Sequence, residues 1–338
     1  MKKKTIKINF KYFWEGFNPE NNFLTNTLRN LYDVKISENP DYLFYSVYQE
    51  IKTSGDLSKK GDFIRRISPK LYILLREIYS KISNFSIKDK FPLPEGNFVK
   101  IFFGSELIKP NMNKCGWAFS EYPEEEINNP RHMKLIIIVN DYQLKNFGIP
   151  TIKKKINFNK IKKEKTEFCN FIYARDIAKR NDFFKELSKY KKIDAPGRCM
   201  NNMPPIRYNS PKESRISASC VIDKLNFIKK YKFTTAFENS SRSGYISEKL
   251  THPMLVNSIP IYFGHKDVNK EFNTKSFINY NDFKNMKEFI KYIIKVDNDD
   301  KLYEKILREP WYNDNKPPRD LDIRRIQKRF KEIIESKK

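Results

Sequence analysis

The segment FENSSRSGYISEK, residues 237–249, gathers acidic, amide, phenol and ammonium side chains around one glycine. It lies between an apolar run typical of a strand and a second run that predicts a helix from Ser247. Free backbone N–H groups at the start of such a helix, with Lys249 in its first turn, suit a phosphate or diphosphate. The chemically active side chains of the segment are Glu238, Asn239, Tyr245, Glu248 and Lys249.

A purely structural interpretation of the same residues is open as well. Serine is a common N-cap residue, and a glutamate such as Glu248 in a first turn complements the helix dipole. In a ligand site, Glu248 would instead suit hydroxyl groups or a developing positive charge. Spacing alone favours neither interpretation.

The elements around the segment predict an α/β protein. A strand over 232–237 leads into it, and strands alternate with helices in two successive blocks, 1–150 and 167–305, separated by a lysine-rich linker at 151–166. Such alternation predicts two α/β domains with parallel sheets, in which ligands bind beyond the carboxyl ends of the strands. Further strands are expected at 6–10, 34–36, 42–47, 98–103, 168–174, 259–263 and 276–278, and helices near 23–31, from Pro69, and at 180–190, 221–230, 286–296 and 323–334.

Composition limits the class of partner. The 338 residues include 66 Lys and Arg against 41 Asp and Glu, a net charge of +25, which implies anionic partners such as phosphorylated substrates, nucleic acid or an acidic membrane. Four separated cysteines and three histidines show no zinc pattern, so we expect no metal site and reduced thiols. With no signal-peptide core and no apolar span, we expect a soluble, cytoplasmic protein.

A longer stretch carries a family resemblance. YKFTTAFENSSRSGYISEKLTHPMLVNSIPIYFG, residues 231–264, resembles the donor-binding motif of the α1,3-fucosyltransferases, glycosyltransferase family ten. The resemblance covers most of 167–305 and is weaker over 1–150. It implies a GT-B architecture: two Rossmann-like domains facing a cleft, with GDP-fucose bound by the second domain and the acceptor by the first. It also implies inverting transfer, without a metal or cofactor, to a GlcNAc-containing acceptor in α1,3 or α1,4 linkage.

The resemblance also implies roles for individual residues. Arg180 and Lys249 match the family's diphosphate contacts, and Glu248 matches the glutamate that contacts fucose near its anomeric carbon. The positions that match the lining of the nucleotide-sugar pocket are Glu238, Asn239 and Tyr245.

The expected catalytic base lies in the first domain. In FFGSELIKP, residues 102–110, Glu106 falls on the family's catalytic glutamate, directly after a predicted strand and facing the cleft. A carboxylate there would take the proton of the acceptor hydroxyl. The other interpretation is a solvated loop glutamate. Asp320 and Asp322 form a DxD sequence between prolines and a basic helix, which does not predict a metal site.

The C-terminal segment 306–338 ends in a basic amphipathic helix over 323–334. We expect its first turns to pack against the protein and the remainder to make weak contact with a membrane surface, which would place the protein peripherally at the membrane.

Two other functions fit part of the pattern. A GT-B enzyme using another nucleotide sugar remains open, because a diphosphate clamp does not choose the sugar. A basic nucleic-acid-binding protein without enzymatic activity is the second. It explains the charge, but the Glu238 and Glu248 pair would repel a polyanion, and no RNA-binding motif is present.

Overall fold

The computed structural model describes residues 3–14, 16–47, 94–104, 108–135, 152–207 and 218–336. The helix predicted from Pro69 and the candidate base Glu106 lie outside these ranges. Within them, none of the helices combines the length and apolar character that crossing a membrane requires.

The first domain contains a six-stranded parallel sheet in the order β2-β1-β3-β4-β5-β6. The strands β5 and β6 are only four and three residues long, too short for periodicity to reveal them, and they were not predicted. The elements are β1 Thr5–Lys11, α1 Phe23–Arg29, β2 Asp33–Ile36, β3 Tyr42–Tyr45, β4 Val99–Gly104, β5 Trp117–Ser120, α2 Glu124–Ile127 and β6 His132–Lys134.

The second domain contains a five-stranded parallel sheet in the order β11-β10-β9-β7-β8. The predicted strand at 168–174 is shorter than expected and ends at Asn170. The elements are α3 Phe158–Glu164, β7 Glu167–Asn170, α4 Ala178–Ser188, β8 Ile193–Asp194, α5 Ala218–Ile228, β9 Tyr231–Phe237, α6 Glu248–Leu255, β10 Ile259–Phe263, β11 Ile278–Asn279, α7 Met286–Asn298, α8 Asp300–Arg308 and α9 Ile323–Glu335.

Strand β9 is the centre of the second sheet. All of its residues except Lys232 are buried, as expected for an apolar strand covered on both faces of a parallel sheet. The chain begins this sheet at β7, adds β8 on one side and then β9, β10 and β11 on the other. Strand order therefore reverses between β7 and β9, and such a reversal opens a ligand-binding crevice at the carboxyl ends of the strands.

The segment predicted as a linker, 151–166, contains the helix α3. Asn157 caps this helix, and Ile161 is buried in the core of the second domain with Phe183 and Phe233. The later part of the segment therefore packs as part of the second domain, because its apolar side chains enter that core.

Helix α9 leaves the second domain and completes the core of the first. Ile326, Phe330, Ile333 and Ile334 are buried there, and the Phe330 ring lies 5.6 Å from that of Phe119, centroid to centroid. Packing extends to the last turn, and not only to the first turns as expected. The first domain buries all four of these apolar side chains. None of them is therefore available for the membrane contact that we expected from the later turns of this helix.

Replacing Phe330 with alanine tests this packing. We expect Phe330→Ala to lower the free energy of unfolding by about 3–5 kcal/mol, the usual cost of removing a buried aromatic ring. Urea denaturation measures the change. Lys331→Ala, on the exposed face of the same helix, is the control and should stay close to the wild type. Equal stability of Phe330→Ala and Lys331→Ala would contradict the packing.

Candidate active site

The candidate site lies at the carboxyl end of β9, beside the point where strand order reverses. The backbone N–H of Glu238 donates to the carbonyl of Phe263 at 2.7 Å, so the loop after β9 begins at the very edge of the sheet. We call residues 238–247 the donor loop. It ends at Ser247, the N-cap of α6, as the sequence predicts.

The carboxylate of Glu238 closes the donor loop. One oxygen accepts the backbone N–H of Ser247 at 2.8 Å, and the other accepts the Ser247 hydroxyl at 2.7 Å. The Lys249 ammonium lies 3.4 Å from this second oxygen. Burial raises the pKa of Glu238, and Lys249 and Ser247 oppose that rise by favouring the charged form. One buried carboxylate therefore holds both the end of the loop and the first turn of α6.

Glu248 lies between two ammonium groups. Its carboxylate oxygen Oε1 is 3.9 Å from the Nζ of Lys224, on α5, and 4.0 Å from that of Lys249. Burial alone would raise the pKa of Glu248, but the positive charges outweigh it and lower the pKa to about 2. The Glu248 side chain is still 34% exposed, so this carboxylate is accessible from solvent.

Arg180 is buried and contacts protein oxygens. Its Nη2 donates to the carbonyl of Phe237 at 3.0 Å and to the side-chain oxygen of Asn239 at 3.1 Å. Its guanidinium carbon lies 3.8 Å from the centre of the Tyr173 ring. Arg180 is only 2% exposed, so its visible role is to tie α4 to the end of β9 and to hold Asn239 in place.

The structure therefore brings together most of the predicted site residues. Four of them lie around the start of α6: Glu238, Asn239, Glu248 and Lys249. Arg180 donates hydrogen bonds to the end of β9 and to Asn239. Tyr245 is in the same loop and is buried, with its N–H donating to the carbonyl of Arg242 at 3.2 Å. Glu106 cannot be placed among them, because it lies outside the described residues.

Three neighbours of the site were not predicted, because no local pattern marks them. Lys224 comes from α5, and its distance to Glu248 depends on how α5 packs beside α6. The other two, Arg242 and Tyr122, meet across the cleft: the Arg242 guanidinium carbon is 3.6 Å from the centre of the Tyr122 ring. Tyr122 follows β5 in the first domain, so this contact joins the two domains beside the site.

A network of ion pairs also joins the domains. The Lys134 ammonium, at the end of β6, pairs with Glu271 of the second domain and lies 3.3 Å from Asp320. Arg325 of α9 pairs with Glu124 of the first domain and lies 3.0 Å from Asp320. A cavity of about 190 Å³ between the domains lies against Lys134, Glu271 and Asp320.

The DxD residues have structural roles. Asp320 belongs to the ion-pair network, and Asp322 caps α9 by accepting the backbone N–H of Arg324 at 3.0 Å. Over the described ranges, no group of three or more His, Cys, Asp or Glu side chains is arranged to hold a metal ion.

Comparison with known proteins identifies the family. Residues 161–328 match the model of the C-terminal domain of glycosyltransferase family 10, the fucosyltransferases. Residues 8–56 match the model of the α-(1,3)-fucosyltransferase FucT N-terminal domain. The chain belongs to glycosyltransferase family 10. The C-terminal match contains all the candidate donor-binding residues.

Two relatives show how far the similarity to this family 10 chain extends. An α-(1,3)-fucosyltransferase FucT of Helicobacter pylori is 29% identical over 71% of the chain. A protein of Acanthamoeba polyphaga mimivirus that is named as a fucosyltransferase is 36% identical over 47% of the chain. The chain spans 54% and 26% of the lengths of these two relatives, respectively.

Solved structures confirm the predicted GT-B architecture. A crystal structure of an α1,3-fucosyltransferase matches 98% of this chain and 91% of its own, with a TM-score of 0.68 and 22% identity. The same enzyme fold has been solved with GDP-fucose, where the TM-score to this chain is 0.66. At this identity the likeness shows the shared fold.

The charge on Glu248 gives a prediction about pH. Its pKa of about 2 lies below the value of roughly 4.3 in an unfolded chain. The stability that this carboxylate contributes is therefore present above about pH 4.3 and is lost as the pH falls toward 2. We expect Lys224→Met to raise the pKa of Glu248, because one of the two ammonium groups is removed. NMR titration of the Glu248 carboxyl carbon measures it.

The control for this titration is Lys229→Met. Lys229 is exposed on the same region of the chain and pairs with Glu164, not with Glu248. It should leave the pKa of Glu248 unchanged. If Lys224→Met also leaves that pKa unchanged, Lys224 does not hold Glu248 in its ionised form.

Proposed function

We propose that the protein transfers fucose from GDP-fucose, with inversion, to a hydroxyl group of a GlcNAc-containing glycan, in α1,3 or α1,4 linkage. The observation that carries the proposal is the ionised Glu248 carboxylate within 4.0 Å of the Lys249 ammonium at the start of α6. This pair offers a negative group to the sugar and a positive group to the diphosphate, and it lies inside the region that matches the family 10 model.

Lys249 and the N-terminus of α6 bind the diphosphate in this proposal. Negative charge grows on the diphosphate as it leaves the sugar, and a fixed cation with helix N–H groups stabilises that charge by several kcal/mol. The Glu238 carboxylate, 3.4 Å from the ammonium, holds Lys249 in position. Burial opposes the charged form of Lys249, but Glu248 and Glu238 outweigh it and raise the pKa of Lys249, so the cation persists at neutral pH.

Glu248 faces the sugar. The reaction passes through a state with positive charge on the anomeric carbon and ring oxygen, and an ionised carboxylate nearby lowers the energy of that state. In this proposal Tyr245 and Asn239 also belong to the nucleotide-sugar site, as the family resemblance implies. Arg180 contributes a positive field from beneath the loop and orients Asn239 through its 3.1 Å hydrogen bond. With Arg180 and Lys249 as the cations, the proposed reaction needs no metal ion.

Glu106 is the proposed base. Strand β4 ends at Gly104, which pairs in register with Ser120 at the end of β5. The loop after β5 contacts the donor loop, so the chain leaves β4 at the edge of the first sheet that faces the second domain. A carboxylate two residues further along is well placed in sequence to take the proton of an acceptor hydroxyl.

The proposed location is the cytoplasm, with GDP-fucose and a glycan as partners and without nucleic acid. All four cysteines lie within the described residues and are buried without a disulfide, which is typical of a reducing compartment.

Two substitutions test the donor site. We expect Lys249→Met to weaken GDP binding at least tenfold, since a hydrogen bond to a charged group contributes about 1.5–3 kcal/mol. Arg180→Ala should weaken GDP binding as well, because it removes the positive charge beneath the loop and the hydrogen bond that orients Asn239. Isothermal titration calorimetry measures the affinity, and thermal melting checks that the buried Arg180 site still folds. Lys287→Met, an exposed lysine on α7, serves as the control. If both variants bind GDP with wild-type affinity, Arg180 and Lys249 do not contribute to binding of the diphosphate.

Replacing the base tests the transfer step. Glu106→Gln should reduce fucose transfer by roughly a hundredfold or more, because general base catalysis contributes about that much. GDP affinity should stay near the wild-type value, and a chelator should not change wild-type activity. The assay is a glycan-array incubation with GDP-fucose, followed by product linkage analysis. An active Glu106→Gln enzyme would mean that another group deprotonates the acceptor.

The same assay separates the alternatives. If the wild-type protein is active with a different nucleotide sugar and inactive with GDP-fucose, the result would support a GT-B enzyme that uses another nucleotide sugar. Tight filter binding to oligonucleotides together with no transfer would support the nucleic-acid-binding reading.

A further inference from the structure

We propose that Arg242 is a positioning residue that couples the donor loop to the first domain, so that nucleotide binding depends on the contact across the cleft. The inference rests on the proposed function, since it concerns how the same loop is held. Arg242 does not contact Glu248 or Lys249 directly. Its effect would pass through the donor loop, which ends at Ser247.

The first observation is the stacking of Arg242 on Tyr122. The guanidinium carbon lies 3.6 Å from the centre of a ring that is only 7% exposed. One nitrogen, Nη1, donates to the carbonyl of Ser243 at 2.9 Å. Nε and Nη2 are buried, and no protein atom in the described ranges accepts a hydrogen bond from them. The guanidinium is therefore oriented by the face of the ring and by its own loop.

The second observation is a backbone contact two residues further along. Gly244 has φ of +77°, and a Cβ atom there would lie 2.5 Å from the carbonyl oxygen of Glu121. It would also lie 3.0 Å from the side chain of Pro123. Only a glycine allows this approach, because any side chain would enter the chain of the first domain. Arg242 and Gly244 thus press the middle of the donor loop against the segment that follows β5.

These contacts extend to the site through a short turn. The N–H of Tyr245 donates to the carbonyl of Arg242 at 3.2 Å, and two residues later Ser247 is tied to Glu238. The loop is therefore held at its middle by the first domain and at its ends by the second. Moving the domains apart would pull on the turn that precedes Ser247 and Lys249. A nucleotide that needs the ordered loop would then bind better when the cleft is closed.

A double-mutant cycle tests the coupling. We expect Arg242→Ala and Tyr122→Ala each to weaken GDP binding by roughly 5- to 30-fold, the range that a desolvated cation–π contact supports. The double variant should bind no more weakly than the weaker single variant, because both substitutions remove one contact. Tyr122→Phe keeps the ring and should restore near wild-type affinity. Arg242→Lys keeps the charge without the planar face and should restore only part of it.

Two further measurements separate positioning from general destabilisation. Arg308→Ala removes an exposed arginine from α8, where it pairs with Glu304, and should leave GDP affinity unchanged. Hydrogen exchange of the backbone amides from Gly244 to Lys249, measured without nucleotide, should accelerate to a similar extent in Arg242→Ala, in Tyr122→Ala and in the double variant. Amides of β9 should keep their protection.

The outcomes are distinct for the two proposals. Additive losses in the cycle, or wild-type exchange of the loop amides in Arg242→Ala, would overturn the role of Arg242. A wild-type protein that does not bind GDP would overturn the proposed function, and the exchange measurement would then decide the loop coupling by itself.

Discussion

The buried carboxylate of Glu238 accepts the backbone N–H and the hydroxyl of Ser247 and lies 3.4 Å from the Lys249 ammonium. A buried charge costs several kcal/mol unless such partners surround it, so the loop after β9 must return to this carboxylate. Its return fixes where α6 begins. The same contact therefore sets the position of Glu248 and Lys249, which are the groups able to face a ligand.

The charged residues of the site divide into a buried set and an accessible set. Glu238 and Arg180 are almost fully buried, and they hold the loop and the end of β9 through hydrogen bonds to the chain. Glu248 and Lys249 remain partly exposed, and each stabilises the charged form of the other. The net charge of +25 attracts anions to the whole surface, whereas selection of a diphosphate attached to a sugar is the role that we propose for this local arrangement.

The two domains are joined by more than the chain that connects them. Helix α9 comes last in sequence but fills the core of the first domain, and Arg325 and Lys134 link both domains through Asp320. The donor loop adds its own contact, Arg242 on Tyr122. Both the ion pairs and the Arg242–Tyr122 contact therefore join the two domains beside the cleft.

Much of the candidate site could be predicted from local sequence patterns. Residues 237–249 carry most of the candidate side chains in one segment, and local rules for strands and N-caps place Ser247 and Lys249 correctly. Three tertiary features could not be predicted from the sequence. They are the packing of α9 in the first domain, the short distance between Lys224 and Glu248, and the contact of Arg242 with Tyr122. Each joins residues distant in sequence, and an amphipathic helix shows that it must bury one face without showing which core receives it. The periodicity of a sequence indicates which side chains must be buried. Which residues they contact is determined by how the helices and the two domains pack together.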